Sequence, residues 1–164
     1  MTVAAPDGAP LALVGETFSQ RARFSDDAIR AFATSVHDHN PLHHDLAAAK
    51  AAGYRALIAS GTQLGSVFMA MTATHFARPA PDGRPRLGLG LGFTLRFRAP
   101  VYAGESIELR WTVTAIEWKE SLRGWVTLLE GDARSAATLL LDGSGTLLIR
   151  APAQEPRSAR EAPR

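Results

Sequence analysis

Nine residues in the first third of the chain hold many groups that can move protons or bind metal. The stretch HDHNPLHHD, residues 37–45, contains four histidines and two aspartates around an Asn-Pro pair. Three interpretations are open: a metal site, an acid/base pair, or a polar loop between two helices without function. The side-chain spacing and the position of the proline bear on the choice between them.

Proline argues against a metal site in this stretch. Zinc-binding histidines are often pre-placed on one helical face at a spacing of four residues, which His39 and His43 have. Pro41 lies between them, breaks any helix there and biases Asn40 toward extended backbone. We therefore expect no metal ion at this cluster.

The same loop is better suited to acid/base chemistry. Asp38 and His43 lie on either side of the stiff Asn-Pro connection, so their side chains can be held in one arrangement. A carboxylate and an imidazole that converge on one water can bind it and shuttle its proton. We expect His39 and His44 to be solvated, although either could tune the pair.

A second chemical element begins at Ser60. The segment SGTQLGSVFMAMTATHF (60–76) is predicted to be a largely apolar helix with Ser60 as its N-cap and Gln63 completing a capping box. Backbone N–H groups at a helix N-terminus favour developing negative charge, and Gly61 has no side chain to keep a carbonyl away. A water activator beside such a donor could add water to a carbonyl-conjugated double bond or eliminate it.

The elements that position these groups follow an α+β plan. Helical periodicity in the first half and two-residue alternation in the second predict helices grouped on one face of an antiparallel sheet. The predicted helices cover 24–36 with Ser25 as N-cap, 45–53 with Asp45 as N-cap and Gly53 as the stop, and 60–76. The predicted strands cover 16–24, 91–101, 105–118, 122–133 and 135–150. Turn chemistry is expected at 102–105 and 142–145.

Composition sets the remaining limits. The chain has 164 residues, which suits one domain, and we expect it to cover 14–150 between a flexible segment, 1–13, and a disordered tail, 151–164. A formal charge of +2 is too weak to indicate nucleic-acid binding, and the absence of cysteine excludes thiolate chemistry. No signal peptide or membrane helix is recognisable, so we expect a cytoplasmic location.

The loop and the helix start together resemble the MaoC-like dehydratases, which include the (R)-specific enoyl-CoA hydratases. The matching pattern is Asp-x-Asn-Pro-Leu-His at 38–43, then Asp45, Gly53 and Ile-Ala-Ser-Gly at 58–61, followed by FTLRFRAPVYAGESI at 93–107. The resemblance implies a single hot-dog domain, an antiparallel sheet wrapped around a central helix, which pairs into a homodimer or a higher homo-oligomer. It also implies an enzyme with Asp38 and His43 as catalytic residues and the Gly61 N–H as the oxyanion donor.

The implied reaction is hydration of a trans-2-enoyl thioester to an (R)-3-hydroxyacyl thioester, or its reverse. Coenzyme A or an acyl carrier protein would carry the acyl group as part of the substrate, with no separate cofactor. The implied substrate-binding residues are Asn40, Ser60, Thr62, Arg96 and Arg98, although a solvated strand face is the favoured interpretation of both arginines. The alternatives are a thioesterase on the same fold and a catalytically silent acyl-thioester-binding or partner subunit.

Overall fold

A five-stranded antiparallel sheet and one long helix dominate the structure, a computed structural model that describes residues 8–152. The sheet order is β1-β3-β4-β5-β2. The elements in chain order are β1 (Thr17–Arg23), α1 (Asp26–Ser35), α2 (Leu46–Ala51), α3 (Gly61–Phe76), β2 (Leu87–Phe97), β3 (Ser106–Lys119), β4 (Gly124–Ser135) and β5 (Thr138–Arg150), with single 3-10 turns at Pro41–His43 and Glu120–Leu122. This arrangement confirms the predicted α+β class.

The three α-helices begin where their capping residues predict. In each case the side-chain oxygen of the N-cap accepts a backbone N–H from the first turn, which satisfies one of the donors that a helix start leaves open. The caps are Ser25 for α1, Asp45 for α2 and Ser60 for α3. These starts depend on local sequence alone, which is why they were predictable.

Helix α3 forms the centre of the core, as its apolar sequence predicts. Leu64, Phe68 and Met71 are buried on the face that the sheet covers. The Phe68 ring stacks on Trp111 of β3 at 4.1 Å between centroids, and the Trp111 indole N–H donates to the Phe68 carbonyl at 2.8 Å. The indole therefore satisfies its polar atom inside the core, which fixes α3 against the sheet.

The prediction of a turn at the two glycines of the last predicted strand is wrong. Residues 142–145, predicted as a turn, lie inside β5, where Gly143 pairs with Leu95 of β2. A Cβ at Gly143 would lie 2.7 Å from both Leu95 Cδ2 and the Thr94 carbonyl oxygen, so close strand packing explains this glycine. The chain turns earlier, at Ala136, whose φ is 49°. Strand β2 also begins earlier than predicted, at Leu87.

The ordered fold begins before the predicted domain boundary at residue 14. Leu11 and Ala12, assigned from the sequence to a flexible segment, are buried in the core instead. Their part of the chain is held by arginine side chains, because Arg84 donates to the Pro10 carbonyl and Arg86 donates to the Leu11 carbonyl at 2.7 Å. Residues 1–7 of the predicted N-terminal segment and residues 153–164 of the predicted tail lie outside the described residues. No helix within 8–152 is both long and apolar enough to cross a membrane.

Candidate active site

Asp38 is placed by the way α1 ends. The Asp38 N–H donates to the Ala33 carbonyl at 2.8 Å and the His37 N–H donates to the Thr34 carbonyl at 3.1 Å. This is a Schellman motif, in which the residue after the C-cap adopts left-handed backbone; here it is His37, with φ 57°. Helix α1 therefore fixes the backbone of Asp38 before the loop begins.

Asp38 and His43 face each other across the Asn-Pro turn, as predicted. Asp38 Oδ2 lies 3.5 Å from His43 Nε2. The other carboxylate oxygen, Oδ1, accepts the Asn40 N–H at 3.0 Å, and the Asn40 side chain in turn accepts the Leu42 N–H at 3.1 Å. Asn40 therefore shapes the loop that joins the two side chains, and its side chain is committed to the backbone.

The tautomer of His43 follows from its second contact. Its Nδ1 lies 2.8 Å from the Ile58 carbonyl oxygen, which can only accept, so Nδ1 carries the proton. In the neutral ring the Nε2 lone pair then points toward Asp38. The imidazole is almost fully buried, with 8% of its side chain exposed, whereas 30% of the Asp38 side chain is exposed. The pair is therefore open to solvent mainly from the carboxylate side.

The start of α3 is connected to the same histidine. Ile58, which fixes His43, lies three residues before Gly61, the first residue of α3. The Ser60 hydroxyl accepts the Gln63 N–H at 3.2 Å and shares a 2.9 Å hydrogen bond with the Thr62 hydroxyl. The predicted capping box is only half formed, because the Gln63 side chain donates to the Ala28 carbonyl of α1 instead of returning to Ser60.

A pocket opens beside this helix start. It is lined by Ser60, Gly61, Tyr54, Leu64, Phe97 and Arg98 among others. The Phe97 ring lies directly over Gly61, so that a Cβ there would lie 3.0–3.2 Å from three ring atoms. An apolar wall with a few polar groups at one end suits an acyl chain with a polar head group.

Arg96, near the end of β2, and Arg98, just after it, do not occupy equivalent places. Arg98 lines the pocket and binds Asp142 through two hydrogen bonds, of 2.8 and 3.1 Å, whereas Arg96 lies 3.6 Å from the same carboxylate and does not line the pocket. The hydrogen bond from Arg98 holds the pKa of Asp142 below its ordinary value. Both guanidinium groups remain half-exposed, and each already has a carboxylate partner within the sheet.

The remaining histidines of the loop separate into two kinds. His39 is exposed, as expected. His44 is not solvated as expected, because its Nε2 lies 2.6 Å from the carbonyl oxygen of Asp38. In the described part of the chain, no group of three or more histidine or acidic side chains is arranged to hold a metal ion.

A buried ionic cluster at the other end of α3 was missed from the sequence. Glu16 Oε1 accepts from His75 Nε2 at 2.7 Å and from Arg86 at 2.9 Å. Burial raises the pKa of Glu16, but the hydrogen bonds from Arg86, His75 and the Leu13 N–H outweigh it, so that pKa lies below its ordinary value. These residues are distant in sequence and share no motif, so no local pattern could have indicated the cluster.

Comparison with known proteins shows which family the chain belongs to. Residues 12–137 match the family described as FAS1-like, dehydratase domain region. The chain belongs to this family. This dehydratase-family chain is 27% identical to a mitochondrial 3-hydroxyacyl-acyl-carrier-protein dehydratase of Solanum lycopersicum, over 87% of its own length and 81% of the relative. It is 31% identical to the (R)-specific enoyl-CoA hydratase of Aeromonas caviae, over 63% and 72% of the two chains.

A solved structure supports the same family assignment. The dehydratase-family chain matches the (R)-hydratase from A. caviae involved in PHA biosynthesis with a TM-score of 0.69 and 25% identity, over 85% of this chain and 97% of that one. The predicted resemblance to MaoC-like dehydratases and the hot-dog fold are thereby confirmed. At the level of the family, the chain is a hydratase or dehydratase relative, a hydro-lyase type.

Proposed function

We propose that the protein adds water to a trans-2-enoyl thioester, or eliminates it from the corresponding (R)-3-hydroxyacyl thioester, with Asp38 and His43 as the catalytic residues. The observation that carries this proposal is the 3.5 Å separation of Asp38 Oδ2 and His43 Nε2, which is the acceptor nitrogen of a neutral imidazole whose Nδ1 donates to Ile58. Both atoms are hydrogen-bond acceptors. A water molecule can donate one hydrogen to each of them and keep a lone pair free for attack.

The geometry supports a balanced reaction on this water. As the water oxygen forms its bond to C3, His43 Nε2 takes one proton, and the electron pair of the C2–C3 double bond moves toward the thioester oxygen. Asp38 stabilises the imidazolium formed beside it. The proton then passes to C2, so that both hydrogens of the water end in the 3-hydroxyacyl product. Elimination follows the same steps in reverse.

The helix start would bind the other end of the reacting group. Gly61, the first residue of α3, lines the pocket, and the proposal has the thioester oxygen gain charge beside its N–H at the N-terminal end of the helix dipole. One such donor can contribute ~3–4 kcal/mol to the transition state. Ser60 and Thr62 flank this donor, and their mutual hydrogen bond leaves one hydroxyl proton available for the substrate.

The carrier of the acyl group belongs to the same proposal. The tomato relative is named for an acyl-carrier-protein substrate and the A. caviae relative for a coenzyme A substrate. Arg98 lines the pocket and remains half-exposed, so it could contact a carrier phosphate, with Arg96 farther out. No cofactor is required by this chemistry. A cytoplasmic location stays a prediction, since the Solanum lycopersicum relative is named as mitochondrial.

A second copy of the chain is proposed as the partner. Strand β2 lies at the edge of the sheet and exposes Leu89 and Leu91. Exposed apolar side chains on an edge strand favour pairing with another strand. A homodimer formed at this edge would place two pockets near the contact, because β2 also carries Phe97 and Arg98 follows it.

The test is turnover of crotonyl-CoA, followed as loss of the enoyl-thioester absorbance. We expect Asp38→Asn to lower kcat by about 10²–10⁴, because an amide can donate where a carboxylate must accept. Asp45→Asn is the matched control: it makes the same change in the same stretch, and asparagine caps α2 equally well. Release of free thiol without hydration would show a thioesterase instead. Binding of several enoyl thioesters without turnover would show a silent subunit.

A further inference from the structure

His44 makes a contact that ordinary loop structure does not require. Its Nε2 lies 2.6 Å from the Asp38 carbonyl oxygen, and since a carbonyl can only accept, Nε2 carries the proton and donates. The His44 side chain is partly buried, while His39 in the same loop is exposed. The imidazole therefore bonds directly to the backbone of the residue whose carboxylate faces His43.

The backbone of His44 is itself fixed on both sides. Its N–H donates to the Pro41 carbonyl at 3.1 Å, and its carbonyl accepts from Arg30 Nε of α1 at 3.0 Å. The ring is thus attached to a rigid point that connects the 3-10 turn with α1. From that point it can hold the Asp38 peptide in one position.

We propose that His44 is a positioning residue for Asp38, an inference that rests on the proposed hydration. Three donors and acceptors then define the place of Asp38: the Ala33 carbonyl on its N–H, His44 on its carbonyl, and the Asn40 N–H on Oδ1. Only Oδ2 is left to face His43 Nε2. The His44 ring donates to the Asp38 carbonyl, and His44 does not line the pocket, so we assign the effect of its side chain to Asp38.

The proposal predicts that loss of the His44 donor lowers kcat and leaves KM nearly unchanged. Without the His44 donor the Asp38 carbonyl loses one of the contacts that hold this residue, and a displacement of the carboxylate by ~1 Å can cost about 10²-fold in rate. We expect His44→Met to lower kcat by about 10- to 100-fold and to leave KM for crotonyl-CoA within about twofold, because substrate contacts are unchanged.

Matched variants give the test its controls. His44→Gln places an amide N–H where Nε2 lies and should restore most of kcat. His39→Met makes the same replacement in an exposed position of the same loop and should leave kcat unchanged. If His44→Met does not fold, His44→Asn replaces it, because its shorter amide cannot reach the Asp38 carbonyl and the same loss is expected.

A measurement without substrate separates this inference from the proposed function. The Asn40 N–H reports on Asp38, since it donates to Oδ1, and its hydrogen exchange should be faster in His44→Met but not in His44→Gln or His39→Met. If the wild type turns over no enoyl thioester, the proposed function is wrong. Hydrogen exchange of the Asn40 N–H then remains as the test of the contact between His44 and the Asp38 carbonyl. Unchanged exchange, an unchanged kcat in His44→Met, or an equal loss in His39→Met would each overturn the role of His44.

Discussion

Adding one methyl group at Gly61 tests whether the start of α3 binds the thioester oxygen. A Cβ at this position would lie 3.0 Å from Phe97 Cζ and 3.1–3.2 Å from two neighbouring ring atoms. The ring must move back by about 0.2–0.4 Å to restore ordinary contact, and with 51% of Phe97 exposed it can do so. We therefore expect Gly61→Ala to cost less than about 1 kcal/mol in folding, below the ~1–3 kcal/mol typical of an overpacked core.

The expected effect on catalysis is much larger than the effect on folding. Gly61 lines the pocket, and in the proposed function the thioester carbonyl approaches its N–H, so the added methyl group would obstruct that approach. Losing one oxyanion donor costs about 10²–10³ in kcat, and because alanine keeps the N–H we expect a loss between about 10- and 10³-fold in kcat/KM. The assays are crotonyl-CoA hydration and urea unfolding on the same preparations.

Two controls distinguish the effect of the added methyl group on activity from the effect of moving the Phe97 ring. Gly65→Ala places a Cβ 3.0 Å from Leu95 Cδ1 one turn farther along α3, so it has a similar steric cost without reaching the donor, and it should keep its activity. Phe97→Ala removes the ring altogether. If the double variant Gly61→Ala/Phe97→Ala is as active as Phe97→Ala alone, or if Gly61→Ala is fully active, the oxyanion role of Gly61 is refuted.

Two further predictions concern stability. Glu16→Gln leaves the buried Arg86 without its carboxylate and should lower the free energy of unfolding at pH 7 by about 3 kcal/mol. The folded pKa of Glu16 lies below its ordinary value of 4.5, so the stability that Glu16 contributes is present above that pH and is lost as pH falls through the folded pKa. The urea midpoint of the variant should therefore depend less on pH below about 4.5 than that of the wild type. His37→Gly should raise the free energy of unfolding by about 0.5–1 kcal/mol. Left-handed backbone costs a non-glycine residue roughly 1–2 kcal/mol, and the greater chain entropy of unfolded glycine offsets part of the relief. A lower urea midpoint would show instead that the His37 side chain makes a stabilising contact.

Features that depend on neighbouring residues could be predicted from the sequence. Ser25, Asp45 and Ser60 cap their helices through residues two or three positions away, so the pattern alone was sufficient. The end of α2 follows the same logic, since Gly53, the residue after the C-cap Ala52, has a φ of 91° that favours glycine. The loop around Pro41 also brought Asp38 and His43 together as its stiffness predicted.

Features that depend on distant partners could not be predicted. Gly143 and Gly145 read as a turn, because nothing local shows that β2 side chains pack against the β5 backbone. The partners of Glu16 lie about sixty and seventy residues away in the chain. The contact of His44 could not be predicted because its acceptor is a backbone carbonyl. Every residue has such a carbonyl, so the sequence does not indicate which one a side chain will bind.

The separation of Asp38 from His43 depends on two parts of the fold that are not covalently adjacent. Asp38 is attached to the end of α1 through Ala33, whereas His43 is attached to Ile58, which leads into α3. The Gln63 side chain joins these two parts, because it donates from α3 to the Ala28 carbonyl of α1 at 3.2 Å while its own carbonyl oxygen is buried without a partner in the described structure. A small shift of α1 on α3 therefore changes the distance between Asp38 Oδ2 and His43 Nε2, and the geometry that would hold a water belongs to the packing of the two helices as much as to the motif.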